Sequence, residues 1–287
     1  MTNILKAMGG YPWAIQRAEL DKIVAIATRS NDIEALRANN NGIPLNNNRK
    51  TVVRDGIAII PITGSIFRYA NMFTEISGGI STQMLSLDLN EALANKDVKG
   101  ILLDIDSGGG QANGISELSD MIFNARGVKP IKAYIGGSGA SAAYWIGSSA
   151  DEVVINSTGM AGSIGAMLSF EDDSQAKEEA GIKEIKIISS VSPLKNSDSE
   201  LQAIVDSLGE IFVETVARNR STTLENVKEN FGKGGVFVGK DAVNAGLADK
   251  VGTFEEVLSS FKTSNQGGYS AMLEAQQRNI NLLKKDI

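Results

Sequence analysis

The sequence contains neither cysteine nor histidine. Without cysteine the chain can form no disulfide, present no thiolate nucleophile and hold no cysteine-ligated zinc or iron–sulfur centre. Without histidine, a Ser-His-Asp triad built from this chain alone is excluded, as are the usual histidine-based zinc hydrolase sites. Any hydrolytic chemistry must draw on Ser, Thr, Lys, Tyr, Asp or Glu. Aromatic residues are sparse, at 6%. There is no excess of positive charge: 28 Lys and Arg stand against 34 Asp and Glu, a net charge of -6, which gives no electrostatic footprint for nucleic acid. No stretch approaches the ~20 consecutive apolar residues of a membrane span. The first residues lack the basic segment and long apolar run of a secretory signal, so the expected compartment is the cytoplasm.

What is present fits a single large α/β unit. The 287 residues are 42% hydrophobic, enough to bury a sizeable core without a disulfide or metal staple. Residues 13–38 read as helical from the spacing of Leu20, Ile23, Val24 and Ala27, and two asparagine runs, 39–41 and 46–48, mark a linker. Beyond residue 50 the pattern alternates between strand and helix. Ile57–Ile62, Gly100–Ile105, Ile131–Ile135, Val153–Ile155 and Ile185–Ile188 read as strands, with Pro61 marking an edge or a bulge. Leu85, Leu89, Ala92 and Leu93 predict a helix capped by Ser81; Ile115, Leu118, Met121 and Ile122 predict another. Ile204, Leu208, Ile211 and Phe212 predict a long third one. Such alternation argues for an α/β domain with largely parallel strands. The expected organisation is a helical extension and linker over 1–50, a core over 51–262, and a flexible linker with a polar tail over 263–287.

Four short constellations could carry chemistry. Ser107-Gly108-Gly109-Gly110 directly follows a strand, and its glycines can turn their N–H groups toward a phosphate or an oxyanion. It matches neither the dinucleotide nor the Walker pattern. Gly136 to Trp145 is rich in small residues and can turn abruptly from strand to helix, offering Ser138 or Ser141 at the helix start, as a nucleophile elbow does. Gly162-Ser163-Ile164-Gly165 is a third compact turn. Lys195, beside Pro193, reads on its own as a solvated charge.

Taken in order, these motifs resemble the S49 peptidase family, the signal-peptide-peptidase-A-like group of the ClpP/crotonase superfamily. Ser107 to Gly110 corresponds to that family's S-P-G-G loop, with Gly108 in place of proline. Residues 140–145 correspond to its A-S-G-G-Y-Y nucleophile turn, with Ala142 and Ala143 in place of glycines. Residues 162–165 match G-S-I-G, while Gly239, Ala242, Gly246, Leu247 and Asp249 match a later motif. Residues 11–15 and 104–107 are similar to a phage branch of lambda-type capsid assembly and head maturation proteases.

The resemblance implies a ClpP/crotonase-like fold of repeated β-β-α units wound into a superhelix. It also implies a Ser-Lys dyad, the chemistry left open by the missing histidine and cysteine. Ser141 would be the nucleophile, Lys195 the general base and Ser163 the residue orienting the lysine. The N–H of Gly109 or Gly110, together with that of Ala142, would form the oxyanion hole. No cofactor or metal is implied. The substrates implied are phage scaffold, portal or capsid proteins, or the chain itself, cleaved within an assembling procapsid in the host cytoplasm. In short members of the family the dyad is shared between protomers of a ring-like homo-oligomer. The tail linker, 263–268, is an expected self-cleavage site. Competing readings are a soluble signal-peptide-peptidase-like protease of a bacterial cell and an inactive structural capsid component. A crotonase-type acyl-CoA enzyme shares the fold, and the full Ser-Lys set argues against it.

Overall fold

A computed structural model describes residues 12–17, 20–21, 50–70, 74, 78–169, 174–183 and 185–264. The helix expected through residue 38, the asparagine-rich linker and the tail beyond 264 fall outside these, apart from the few residues named at 12–21. In chain order the strands are β1 (Trp13–Ile15), β2 (Val52–Arg54), β3 (Ile57–Thr63), β4 (Ile66–Phe67), β5 (Ile80–Ser81), β6 (Gly100–Ser107), β7 (Gly109–Gln111) and β8 (Ile131–Ala140). They continue as β9 (Glu152–Ile155), β10 (Met160–Gly162), β11 (Val236–Val238) and β12 (Lys250–Val251). The helices are α1 (Thr82–Ala94), α2 (Ile115–Ala125), α3 (Ala142–Ser148), α4 (Ser174–Glu179), α5 (Asp198–Asn219), α6 (Leu224–Asn230), α7 (Gly239–Asn244) and α8 (Phe254–Ser264).

The larger sheet has the order β11-β10-β8-β6-β3-β2. Its centre is parallel, and the edge strands β2 and β11 run antiparallel to their neighbours. β8 serves two partners on one side: Lys132–Ile135 pair with β9, and Ser138–Ala140 pair with β10. Strands buried on both faces need no polar alternation, and Gly100–Leu103 are buried at every position. Pro61 lies in β3 past Ile59, where β2 no longer pairs, so its missing N–H meets a free edge as its sequence context predicts. A smaller sheet, β1-β7-β4-β5, sits just beyond the C-terminal end of β6.

The helices form where the apolar spacing predicts. α1 starts at Ser81, whose hydroxyl accepts from the Met84 N–H at 3.2 Å, and it buries Leu85, Leu89 and Ala92. α5 starts at Ser197, whose hydroxyl accepts from Glu200 N–H, and it buries Phe212 and Val216. Phe212 stacks on Trp145 of α3 with ring centroids 4.3 Å apart and planes at 13°. Every residue of α3 is buried.

Two expectations are corrected. Trp13–Ile15 is a strand rather than the start of a helix: it pairs antiparallel with Gly109–Gln111, and tertiary pairing overrides local propensity. Ile185–Ile188 is not a strand. It runs through an exposed segment in which Ile185 and Ile187 are 74% and 94% exposed, and among the described residues no strand pairs with it. Among the described residues no helix is long and apolar enough to cross a membrane.

Candidate active site

Ser141 stands at the junction of β8 and α3, at the C-terminal edge of the parallel strands. Its backbone has φ 54° and ψ -123°, a conformation costly for any residue with a Cβ and typical of strained functional turns. The strain is held from both ends. The Ser141 N–H donates to Gly162 O at 2.8 Å, and its carbonyl accepts from Trp145 N–H at 2.9 Å in the first turn of α3. The hydroxyl is not spent on capping the helix. Ser138, the rival candidate, lies inside β8: its N–H donates to Asp106 Oδ1 at 2.9 Å and its hydroxyl to Gln16 Oε1 at 3.3 Å. The two serines are thus separated by local geometry, one in regular strand and one at a sharp turn.

The glycine loop lies against Ser141. Gly109 has φ 104°, and a Cβ there would stand 3.0 Å from Ser141 Cβ. A Cβ on Gly110 would overlap the Ile66 backbone. Only glycine lets the two chain segments approach this closely. Ser107 fastens the turn, donating to Gly64 O at 2.5 Å and accepting the Gly109 N–H at 3.1 Å. Of the three candidate oxyanion donors, Gly109 therefore has its N–H turned toward Ser107. Gly110 belongs to the β7 ladder opposite Ala14. Ala142 is the first residue of α3, where an N–H has no partner within the helix.

Ser163 comes next to Ser141 through the sheet. The parallel register Ala140 to Gly162 carries each strand into its serine at neighbouring positions, and Ser163 also has φ 54°. Its N–H donates to Gly235 O at 2.7 Å, and the site is half-buried. Lys195 is placed elsewhere. It is exposed, in a turn where its N–H donates to Ser192 O at 3.1 Å, three residues before α5. Among the described residues its ammonium hydrogen-bonds to neither Ser141 nor Ser163. The described residues thus bring together Ser141, Ser163, the glycine loop and the N-terminus of α3, and Lys195 lies apart from them.

Surrounding charges are arranged to hold α3. Arg126 caps its C-terminal end: the guanidinium donates to Ser149 O at 2.8 Å, Ser148 O at 3.2 Å and Ala150 O at 2.6 Å. Burial lowers its pKa to about 10. The Tyr144 hydroxyl donates to Leu247 O at 2.9 Å, and burial raises its pKa. On β6, Asp104 is pushed up from the usual carboxylate range, first by burial and then by the neighbouring Asp106. Motif reading passed over the contributions of Asp106 and Arg126. Asp106 sits in the phrase Asp104–Ser107, which motif reading used only as a likeness. No spacing in the sequence ties Arg126 to α3.

The sequence pattern of Peptidase family S49 matches residues 124–267, half of the chain. The chain belongs to peptidase family S49. Head-tail preconnector protein GP5 of Enterobacteria phage P21 is 29% identical to this S49 chain over 221 residues, 74% of this chain and 44% of that protein. Capsid assembly protease C of Escherichia phage lambda is 28% identical over 213 residues, 71% and 48%. Protease 4 of Haemophilus influenzae is 27% identical over 216 residues, 72% and 34%. The chain thus spans less than half the length of each of these relatives. The S49 membership sits on the mixed α/β architecture with a parallel-centred sheet described above.

Proposed function

We propose that this S49 chain is a serine endopeptidase that performs limited proteolysis of phage head proteins, scaffold, portal or itself, during capsid maturation. The observation that carries the chemistry is the strained Ser141 turn with the glycine loop packed on its Cβ. Such a turn presents a hydroxyl beside backbone donors, the arrangement acyl transfer requires. Ser141 attacks the peptide carbonyl, Lys195 takes the serine proton and delivers it to the leaving amine, and water then hydrolyses the acyl-enzyme. Each oxyanion donor contributes roughly 3 kcal/mol to lowering the barrier. The likeness to proteins named for head-tail connection and capsid assembly supports the phage setting.

The base comes from a second copy of the chain. Lys195 rides on an exposed segment that also shows Ile185, Ile187, Val191 and Leu194 to solvent, an apolar arm left uncovered among the described residues. Docked on a neighbour, the arm would bury those side chains and carry Lys195 toward that neighbour's Ser141. Burial would also lower the lysine pKa, making the neutral amine available as a base.

Intact masses of the wild type, Ser141→Ala and Lys195→Ala, followed over a wide concentration range, test this. Wild type is expected to fragment above a threshold concentration, and neither variant should fragment. Mixing the two inactive variants should restore cleavage, since some interfaces then pair an intact serine with an intact lysine. Fragmentation of either variant alone would refute the dyad, and a mixture without activity would refute its sharing.

A further inference from the structure

The nucleophile is only 1% exposed, and the chain's own N-terminal strand helps to cover it. β1 is threaded between two backbone edges. On one side Trp13 exchanges both bonds of an antiparallel pair with Met167, N–H to O at 2.9 Å and N–H from Met167 at 2.8 Å. On the other, Trp13, Ala14 and Ile15 face Gln111, Gly110 and Gly109. The Ala112 N–H donates to Pro12 O at 3.2 Å and the Gln16 N–H to Gly108 O at 2.8 Å. Ala14 and Gly110 lie midway between those two pairs and so share their hydrogen-bonded register.

This placement brings Ala14 to the reacting centre. A Cβ on Gly109 would overlap the Ala14 carbonyl oxygen and simultaneously press on Ser141 Cβ, so that carbonyl and the serine side chain lie against one face of Gly109. Side chains alternate as a strand requires. Ala14 is fully buried toward the main core, while Trp13 and Ile15 pack with Leu20, Phe67 and Met167. Trp13 meets Phe67 edge-on, centroids 6.3 Å apart at 84°. A peptidase holds its substrate as an extended strand along an exposed edge. Here both available edges beside Ser141 are taken.

We infer that β1 is a resident occupant of the peptide channel: an extended peptide with a small residue at the Ala14 position and bulky apolar neighbours enters only when Trp13–Ile15 leave. The inference rests on the peptidase reading for the meaning of the channel, but its test needs no catalysis. Because the chain has no cysteine, Ser141→Cys introduces a single thiol at the site. Its alkylation by iodoacetamide should be slow. Adding Trp13→Ala, which removes the packing on Phe67, should speed it at least 10-fold. A synthetic peptide of residues 11–17 at millimolar concentration should slow it again. Equal alkylation rates with and without Trp13, in proteins of unchanged circular dichroism, would overturn the inference; so would failure of the peptide to protect.

Should Trp13→Ala not fold, hydrogen exchange on the unaltered chain decides. Amides of Trp13 and Met167 should exchange at least 100-fold faster than those of Ile101–Ile105, because the occupant opens without the sheet. Equal protection would mark β1 as a permanent part of the fold. A wild type that never cleaves would count against the Ser-Lys reading while leaving both measurements interpretable.

Discussion

The two halves of the proposed dyad sit in opposite kinds of structure. Ser141 is buried, strained and fixed by backbone bonds to β10 and α3, and the glycine loop packs against its Cβ. Lys195 is exposed on a segment whose apolar side chains Ile185, Ile187, Val191 and Leu194 are also exposed among the described residues. A nucleophile must be held in one geometry, and the costly backbone of Ser141 persists only because its surroundings over-determine it. A lysine base must be desolvated, and an exposed arm leaves that step to assembly. On the proposed reading, the difference teaches that a chain can fold with half a site complete and leave the other half to a second copy.

The sharpest way to break the rigid half is Gly110→Ala. The added methyl would collide with Ile66 backbone atoms, so β7 must shift away from both β4 and Ser141. Activity is expected to fall at least ~100-fold, as for loss of an oxyanion donor. Stability should drop by about 2–3 kcal/mol, as for an overpacked core, read by urea denaturation. Unchanged activity would show that the loop does not position the reaction. The arm should respond in the opposite way. Ile187→Asp alters a side chain that is 94% exposed, so the unfolding free energy of the isolated chain should stay within the roughly ±0.5 kcal/mol typical of surface changes. Association and self-cleavage should nevertheless weaken roughly 10-fold, about 1.4 kcal/mol. Sedimentation and intact mass over a concentration series would read both, and an unaffected oligomer would remove the arm from the interface.

The same contrast explains what could be read from the sequence. The turns that carry Ser141, Ser163 and the glycine loop were legible as turns because each holds small residues after a strand; the roles of their residues came only from the family resemblance. α1 and α5 were legible from their apolar periodicity, α1 down to its cap at Ser81. Ile185–Ile188 misled because an apolar run in an arm reads like an apolar run in a core. Periodicity reports that a face wants cover, and it does not report whose. Trp13–Ile15 misled differently: its partner, Gly109–Gln111, is nearly a hundred residues away, and three residues are too few for a period to choose between strand and helix.

A finer change probes the frame under Ser141 rather than the site itself. Asp104 lies on β6 between Pro61 of β3 and Tyr134 of β8, half-buried and two residues from Asp106. Burial and that neighbour raise its folded pKa, so folding disfavours the charged carboxylate. The sign follows: the penalty is full above the raised pKa and disappears as pH falls toward the ordinary value of the unfolded chain. Asp104→Asn removes the charge and keeps the shape. It should stabilise the protein at pH 7, and the gain should shrink to nothing as pH falls through the ordinary carboxylate range. Thermal melts of both proteins from pH 3 to 8 would show two curves that converge at the acid end. Parallel curves would mean that Asp104 is solvated well enough to carry its charge freely, and that the floor of the site is wetter than its neighbours suggest.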